Sequence, residues 1–486
     1  MMASQQEIFA VLRQYNPWWG GAGVPDLPKW KRAAFAELKR WLSDPPVHRA
    51  VLVTGARQVG KTTLLLQAVE SLLSEGAKPE QILYATFDHP LLKLVGLAGV
   101  LKVWREVQPS LGGTEFLLLD ELQHVEGWGT WVKHQVDFEK NQRIALTGSA
   151  IPLSEESPES GVGRWHTIKL PTLSFCEYLQ IKRIAIPDLP DISSLTGLFD
   201  WTPNERVRVG EIAKPLVAHF HEYLLRGGFP QTAQVDSISL AQKLLREDIV
   251  DKALRRDMTA HFGVRRVLAL ERVFLYFCLH DGTILDVPAL SRELGVVKQT
   301  VNDYVELLES AHLVYKLKPY GYGKQVLRGR HKVYLADAAI AGSVLLKGKE
   351  LIEDSTRLGV AVETAFFKHV FARYYQTSIG FSYWRGKGGL EVDIVAEVRG
   401  EVVPFEVKYG QSAVRLADVK GLQLFCKERN VSRGYVITRE MTDFALLPFE
   451  MPKPRARKAP QTQGLLKIPA PLACYWLSKP EIGSTT

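Results

Sequence analysis

The sequence predicts a multidomain α/β protein, and three observations support this fold class. A short apolar run, Val51–Val53, is followed by a glycine-rich loop and then by an apolar helix, which is typical of a buried parallel strand. Further apolar runs end in polar residues at 115–121 and 143–149. The chain has 486 residues, which is enough for about three or four domains. Its apolar fraction of 46% is ordinary for a folded globular chain.

Composition limits the class of protein further. The net charge of +8 is compatible with a nucleic-acid partner but is a weak indication alone. Apolar runs stay far below 18 residues, and the N-terminus lacks a basic segment followed by an apolar one, so we expect neither a membrane span nor a signal peptide. The four cysteines lie far apart, which predicts core thiols in a reducing, cytoplasmic compartment.

The first motif is a phosphate-binding loop of the form G-x-x-x-x-G-K-[ST], from Gly55 to Thr62. Its glycines let successive backbone N–H groups point at phosphate oxygens, and the following helix adds its positive N-terminus. Lys61 is expected to reach the β- and γ-phosphates of ATP, and the Thr62 hydroxyl to bind Mg²⁺. The predicted nucleotide-binding residues are Gly55, Ala56, Arg57, Gln58, Val59, Gly60, Lys61, Thr62 and Thr63.

The second motif is the apolar strand 115–121, which ends in two carboxylates. Acids at the carboxyl end of a buried strand lie where open α/β sheets bind their ligands. We expect Asp120 to join the Mg²⁺ shell and Glu121 to polarise the attacking water. Gln123 follows on a loop, where packing is its expected role.

Two further residues are candidates for the same site. Thr147 ends the apolar strand that begins near Arg143, and it is expected to sense the γ-phosphate or to position the water; a plain strand-to-loop turn is the alternative. Arg164 follows the polar loop 152–163, and it is expected to act as an arginine finger in a neighbouring subunit. The alternative for Arg164 is an ordinary surface arginine.

Residues 266–330 have the pattern of a winged helix. An apolar helix precedes a helix–turn–helix with Gly295 in its turn, and the stretches LVYKLKPYG and LRGRHKVYLAD would form the wing hairpin. In such modules the second helix can enter the major groove of DNA, whereas other examples serve only as packing modules. The candidate DNA contacts are Lys298, Gln299, Thr300, Asn302, Lys324, Arg328, Arg330 and His331.

A second candidate active site follows in the last third of the chain. If Arg399-Gly400 is a two-residue hairpin turn, Asp393 lies opposite Glu406. Asp393 and Glu406 would then bind Mg²⁺, and Lys408 would orient the attacking water. Glu363 would reach the same site from the helix predicted over 358–375. A surface salt bridge on a hairpin is the alternative.

Several stretches together give a more specific likeness. The hairpin residues match the PD-(D/E)XK nuclease pattern, and the chain as a whole resembles a prokaryotic branch of the AAA-type ATPases. The matching stretches are GARQVGKTT (55–63), LLLDELQ (117–123), LTGSA (146–150), GR (163–164), LPTLSFCEYL (170–179), GGFP (227–230), KVYLADAAI (332–340), VDIV (392–395) and FEVKYG (405–410).

The resemblance implies a domain order. It comprises an N-terminal lead-in (1–48), an AAA-type P-loop ATPase core (49–180), a helical lid (181–265), a winged helix (266–340) and a restriction-endonuclease-like α/β domain (341–486). It also implies a RecA-like sheet in which the strand that carries Thr147 lies between the strands of the two ATPase motifs.

These expectations combine into one functional prediction with open alternatives. We expect a Mg²⁺-dependent AAA-type ATPase that forms a homo-oligomer, such as a ring, and whose ATP hydrolysis is coupled to DNA binding and to DNA cleavage by the C-terminal domain. One alternative is an ATP-gated switch whose nuclease-like domain binds DNA without cutting it. The other is a motor that remodels DNA junctions. The sequence does not separate these three possibilities.

Overall fold

The structure is a computed structural model of the chain. It describes residues 4–108, 112–149, 163–259, 264, 266–321, 326, 329–410, 412–449 and 464–479. The chain divides into two compact units. The first unit comprises residues 1–171, 257–264 and 310–312, and the second comprises residues 172–256, 265–309 and 313–486.

The described part of the first unit contains one five-stranded sheet. Its strands are β1 (Ala50–Thr54), β2 (Ile82–Thr86), β3 (Glu115–Asp120), β4 (Gln142–Gly148) and β5 (Trp165–Lys169). They lie in the order β2-β3-β4-β1-β5, and all neighbours are parallel. β4, which carries Thr147, therefore lies between β1 and β3, which confirms the strand order implied by the resemblance.

Helices pack against this sheet. They are Gln5–Tyr15, Ala34–Ser43, Lys61–Ser74, Pro90–Val107 and Trp128–Phe138, with 3-10 turns at Pro17–Gly20, Pro79–Gln81 and Leu122–His124. The helix Pro90–Val107 is interrupted at Gly96, whose φ is 71°. Every residue of β1 is buried, as expected for a strand covered on both faces.

The outer edge of β2 is covered by the N-terminal segment. The Asn16 side chain donates to Tyr84 O (2.8 Å) and accepts from Tyr84 N (2.7 Å), so it replaces the missing neighbour strand at that residue. The indole N–H groups of Trp18 and Trp19 both donate to Ile82 O. Side chains thus satisfy backbone groups that an edge strand would otherwise expose.

The described part of the second unit contains nine strands. They are β6 (Thr283–Ile284), β7 (Val314–Pro319), β8 (Lys332–Leu335), β9 (Ser378–Arg385), β10 (Glu391–Val398), β11 (Glu401–Lys408), β12 (Arg433–Thr438), β13 (Ala445–Leu447) and β14 (Gly464–Pro469). They form one mixed sheet in the order β13-β14-β12-β11-β10-β9-β7-β8-β6. β7 and β9 pair in parallel through Lys318 and Ser382, so the sheet continues across the boundary predicted at residues 340/341.

The described part of the second unit also contains helices. The α-helices are Phe175–Ile181, Pro203–Ala213, Leu216–Arg226, Pro230–Gln234, Ile238–Arg246, Val267–Leu279, Val287–Leu294, Lys298–Ser310, Ala339–Val344, Glu350–Glu353, Ser355–Tyr374, Lys420–Arg429 and Ala470–Leu477, with a π-helix at Glu247–Asp257. Shorter 3-10 turns lie at Leu195–Asp200, Lys387–Gly389, Leu416–Val419 and Met441–Asp443. The last residues of two of these helices, Asp257 and Ser310, belong to the first unit.

The C-terminal apolar stretch 465–477 differs from its prediction. The apolar pattern LLKIPAPLACYWL (465–477) predicts one strand, but only β14 is extended, and the helix Ala470–Leu477 follows directly. Pro471 lies in the first helical turn, where its missing N–H costs nothing. Every residue of this helix is buried, so its sequence lacks the polar face that distinguishes a helix from a buried strand.

A buried polar network lies inside the second unit. The Lys368 ammonium donates to Thr172 Oγ1 (3.0 Å) and Leu173 O (2.8 Å), and it lies 3.4 Å from Asp337 Oδ2. Asp337 also accepts from the Thr172 hydroxyl (2.6 Å) and from Gly228 N (3.0 Å). The network joins three stretches that the family resemblance singled out, 170–179, 227–230 and 332–340. We infer that these stretches form a structural junction.

Two general expectations have outcomes in the structure. Cys176, Cys278, Cys426 and Cys474 are all buried free thiols, as predicted. Among the helices that the structure describes, none has the length and apolar character needed to cross a bilayer.

Candidate functional site

The phosphate-binding loop joins β1 to the helix Lys61–Ser74. Gly60 precedes this helix with a φ of 96°, and Gln58 also has a positive φ, of 62°. A side chain at Gly55 would collide with the carbonyl oxygen of Leu170, so only glycine fits there. The loop therefore has the strand, turn and helix that the motif requires.

Two basic side chains hold this loop. Lys61 is buried, and its ammonium donates to Gly55 O (3.1 Å) and Ala56 O (3.0 Å). Arg32 donates to Val59 O (2.8 Å) from Nη1. Arg32 lies far from the motif in sequence, and no pattern around it indicated this contact.

Asp120 is the centre of the candidate Mg²⁺ site. Its carboxylate accepts from Thr62 Oγ1 (2.8 Å), Tyr84 OH (3.0 Å) and Thr147 Oγ1. Burial, together with the neighbouring Glu121 charge, raises the pKa of Asp120, and the three hydrogen bonds partly offset that rise. The structure thus brings Thr62, Asp120 and Thr147 together, as predicted, and it adds Tyr84, which the sequence did not indicate.

Glu121 lies directly beside this centre. Its φ is 58°, an uncommon value for a residue other than glycine, and its amide donates to Thr147 Oγ1 (3.0 Å). Its carboxylate accepts from the Gln123 side-chain amide and from the Ser149 hydroxyl (3.4 Å). Gln123, for which we had expected only packing, therefore orients the carboxylate of Glu121.

The charge state of Glu121 follows from its surroundings. Burial by itself raises the pKa of Glu121, but the Lys61 charge and the Gln123 amide outweigh burial and hold that pKa below its ordinary value. Glu121 is therefore ionised at neutral pH, which is the state a general base requires.

His312 also belongs to the first unit and contacts the strand that precedes the loop. Its Nε2 lies 2.6 Å from Thr54 Oγ1. Burial and the nearby Lys61 and Lys169 charges lower the pKa of His312 to about 3. The ring is therefore neutral at neutral pH, so it adds no positive charge beside the loop.

Arg164 lies away from the nucleotide site of its own chain. Its carbonyl accepts from Ala50 N (3.0 Å) at the start of β1, whereas the phosphate-binding loop follows the end of β1. Its guanidinium lies 3.2 Å from Asp137 on the exposed surface. A role of Arg164 in the site of a neighbouring subunit stays a prediction.

The predicted hairpin of the second unit is present. β10 and β11 pair with Val398 opposite Glu401, and Arg399 and Gly400 in the turn both have positive φ. This register places Asp393 opposite Glu406, and Asp393 Oδ2 accepts from Val407 N (2.9 Å). The hairpin and its register are therefore confirmed, while the catalytic roles of its residues stay predictions.

Charged side chains lie close together on this hairpin. Lys408 Nζ lies 2.7 Å from Glu406 Oε1. Burial and the Asp393 charge raise the pKa of Glu406 to about 8. Burial also raises the pKa of Glu363, which lies beside Asp393 in the same cluster. The structure therefore brings Glu363, Asp393, Glu406 and Lys408 together, as the sequence predicted.

One member of this cluster was not predicted. Lys332 Nζ lies 2.9 Å from Glu363 Oε1 and 3.1 Å from Asp393 Oδ1. Burial by itself lowers the pKa of Lys332, but the surrounding carboxylates raise it well above its ordinary value. Lys332 therefore stays charged. In the described parts of the chain, no three His, Cys, Asp or Glu side chains are arranged to hold a metal ion together.

The structure describes some of the residues predicted to contact DNA. The helices Val287–Leu294 and Lys298–Ser310 are joined through Gly295, whose φ is 64°, as predicted. Lys298, Gln299 and Asn302 are exposed at the start of the second helix. Lys324 and Arg328, on the predicted wing, lie outside the described residues. So does the basic sequence KPRARK (453–458), which is a further candidate for contact with the phosphate backbone of DNA.

Family models match three separate parts of the chain. Residues 47–179 match the family model described as an AAA domain. Residues 217–351 and 358–451 match two domains of unknown function, DUF8612 and DUF4143. Neither description names a winged helix or a nuclease, so both of those assignments stay predictions.

Two relatives that match about three quarters of the chain have no function in their descriptions. An uncharacterized protein of Haemophilus influenzae is 28% identical over 367 residues, which cover 74% of this chain and 82% of the relative. An uncharacterized protein of Methanocaldococcus jannaschii is 26% identical over 370 residues, which cover 75% of this chain and 76% of the relative.

Solved structures resemble the chain only weakly. The Walker-type ATPase paby2304 of Pyrococcus abyssi aligns with a TM-score of 0.36 and 16% identity, covering 66% of this chain and 99% of that one. A RuvB variant of Thermotoga maritima aligns with a TM-score of 0.28 and 18% identity, covering 62% and 89%. Neither score supports an argument about function. The family match shows an AAA domain over residues 47–179, and the loop between β1 and the helix Lys61–Ser74 has the geometry of a P-loop NTPase fold.

Proposed function

We propose that the first unit binds ATP with Mg²⁺ and hydrolyses the bond between its β- and γ-phosphates. The observation that carries this proposal is the meeting of Thr62, Asp120 and Thr147 at the carboxyl edge of the sheet, beside the phosphate-binding loop. A parallel sheet binds its ligands at that edge. The hydroxyl of Thr62 and the carboxylate of Asp120 are the hard oxygen donors that Mg²⁺ prefers.

Each residue then has a role that follows from its position. Lys61 would exchange the carbonyls of Gly55 and Ala56 for phosphate oxygens. Mg²⁺ at Thr62 and Asp120 would neutralise phosphate charge during transfer. The ionised Glu121 would orient the attacking water and accept its proton.

Replacing Lys61 with alanine tests this proposal. Because Lys61 supplies the positive charge inside the loop, Lys61→Ala is expected to remove ATP binding and turnover. The measurement is ATP binding by titration calorimetry together with the steady-state rate of phosphate release. Lys39→Ala is the control, because Lys39 only pairs with Glu75 on the exposed surface. Parental turnover in Lys61→Ala would contradict the assignment of the nucleotide site.

We also propose that the helix Lys298–Ser310 binds duplex DNA. Its first turn presents Lys298 and Gln299 to solvent, directly after the left-handed turn at Gly295. Lysine at that position suits a phosphate and glutamine suits a base edge. The net charge of +8 favours the same class of partner.

Replacing Lys298 with alanine tests DNA binding. If Lys298 contacts a phosphate, Lys298→Ala should weaken binding to all sequences and lower the salt slope of the affinity by about 1. Fluorescence anisotropy with duplex DNA at several salt concentrations gives both quantities. Lys243→Ala, an exposed lysine on another helix, is the control. An unchanged affinity and slope in Lys298→Ala would reject this helix as the DNA-binding element.

The rate of ATP turnover with and without duplex DNA distinguishes the motor from the switch. Continuous ATP turnover that rises when DNA is added would favour a motor. Slow turnover with tightly held nucleotide would favour a switch.

A further inference from the structure

A buried ammonium lies inside the carboxylate cluster of the second unit. Besides its contacts with Glu363 and Asp393, Lys332 Nζ lies 3.2 Å from Glu391 Oε1. The Lys332 side chain is only 3% exposed. The side chain extends from β8, so it does not belong to the hairpin that carries Asp393.

Lys332, Lys408 and the Val407 amide already bind oxygens that a metal would need. Asp393 Oδ1 is bound by Lys332, and Asp393 Oδ2 accepts from Val407 N (2.9 Å). Glu406 Oε1 is bound by Lys408. Glu406 Oε2, by contrast, is buried without a hydrogen-bond partner among the described residues. The predicted pair of metal ligands therefore offers one unoccupied oxygen instead of several.

Electrostatics and distance both oppose a divalent cation beside Lys332. A metal bound to Asp393 would lie within a few ångströms of a buried ammonium, where like charges are weakly screened. Mg²⁺ needs oxygens at about 2.1 Å, whereas Lys332 holds three carboxylates at about 3 Å. Those carboxylates would have to close by about 1 Å around a metal, which the ammonium prevents.

We propose that the Lys332 ammonium takes the place of a divalent cation in this cluster, so that the hairpin site is held together without metal. Lys332 supplies one positive charge, from inside the chain, to a site shared by Glu363, Glu391 and Asp393. A hairpin site without metal argues against metal-dependent DNA cleavage by this domain. It follows that removing Lys332 leaves three carboxylates that can close on a divalent cation.

The test removes the Lys332 ammonium and asks whether Mn²⁺ then binds in its place. Mn²⁺ binding is measured by calorimetry and by electron paramagnetic resonance on the full chain without nucleotide. The background protein carries Asp120→Asn, which removes the candidate metal ligand of the first unit. The background protein is expected to bind no Mn²⁺ in the second unit. Adding Lys332→Ala is expected to create one Mn²⁺ site per chain, and adding Asp393→Asn to that variant should remove the site.

A matched variant and a second measurement complete the experiment. Lys316→Ala removes another lysine–glutamate pair, with Glu309, from the neighbouring strand β7 and is expected to create no Mn²⁺ site. If Lys332→Ala fails to fold, the thermal unfolding of the background protein still tests whether the second unit binds a metal. Its midpoint should be the same in Mn²⁺ and in EDTA. A stoichiometric Mn²⁺ site or a metal-dependent midpoint in that protein, lost on Asp393→Asn or Glu406→Gln, would overturn the proposal.

Discussion

Replacing Glu121 with glutamine is expected to leave ATP binding intact and to slow hydrolysis by about 10²–10⁴-fold, the usual contribution of a general base. Glutamine keeps the size of the side chain and can still hydrogen-bond Gln123 and Ser149. It loses the negative charge that accepts the proton of the attacking water. The measurement is the single-turnover hydrolysis rate together with the dissociation constant of ATP.

Glu126→Gln is the matched control for this experiment. Glu126 is an exposed glutamate five residues further along, and its substitution should change neither quantity. A Glu121→Gln protein that hydrolyses ATP at the parental rate would remove Glu121 from the mechanism. Loss of ATP binding in that variant would instead indicate that Glu121 shapes the loop.

The nucleotide site was largely predictable because its chemistry is local in sequence. The loop 55–63 and the strand 115–121 each carry their own signal, and the strand order then brings them together. Thr147 was predictable as well, since it ends the strand between them. Contacts made by segments distant in sequence were not indicated by any motif. Tyr84 reaches the site from β2, and Arg32 reaches it from the segment before the helix Ala34–Ser43, so both lie outside the two motifs.

The second unit shows the same limit more strongly. The hairpin register followed from a two-residue turn, so the meeting of Asp393 and Glu406 was predictable. Lys332 was not, because β8 was predicted to belong to the wing of a separate domain. Only its pairing with β7, which in turn pairs with β9, places Lys332 beside the hairpin carboxylates. Side-chain identity within one element cannot reveal such a contact.

The largest stability effect is expected at the buried pair of Lys368 and Asp337. Lys368→Met keeps most of the side-chain volume but leaves the Asp337 carboxylate buried without its ammonium. Breaking a buried ion pair by removing one partner typically costs about 3–5 kcal/mol. Thr172 and Gly228 still donate to Asp337, but they cannot replace a full positive charge. We therefore expect Lys368→Met to loosen the segments that meet at this junction.

The measurement must report on this junction, because a chain of two compact units need not unfold in a single step. Hydrogen exchange of the segments 172–181 and 223–234 does so, since the amides of Phe175 and Gly228 are bound by His369 and Asp337. Both segments should exchange faster in Lys368→Met. The exposed Lys243→Met is the control, with an expected cost below about 1 kcal/mol.

A double variant identifies the cause of the instability. Adding Asp337→Asn to Lys368→Met removes the second charge and leaves no unpaired buried ion. If the unpaired charge dominates, the double variant should recover part of the protection that Lys368→Met alone loses. If the double variant is instead less protected than either single variant, the hydrogen bonds of Asp337 hold the junction together more than its charge does. Parental exchange in Lys368→Met would show that the junction does not depend on this ion pair.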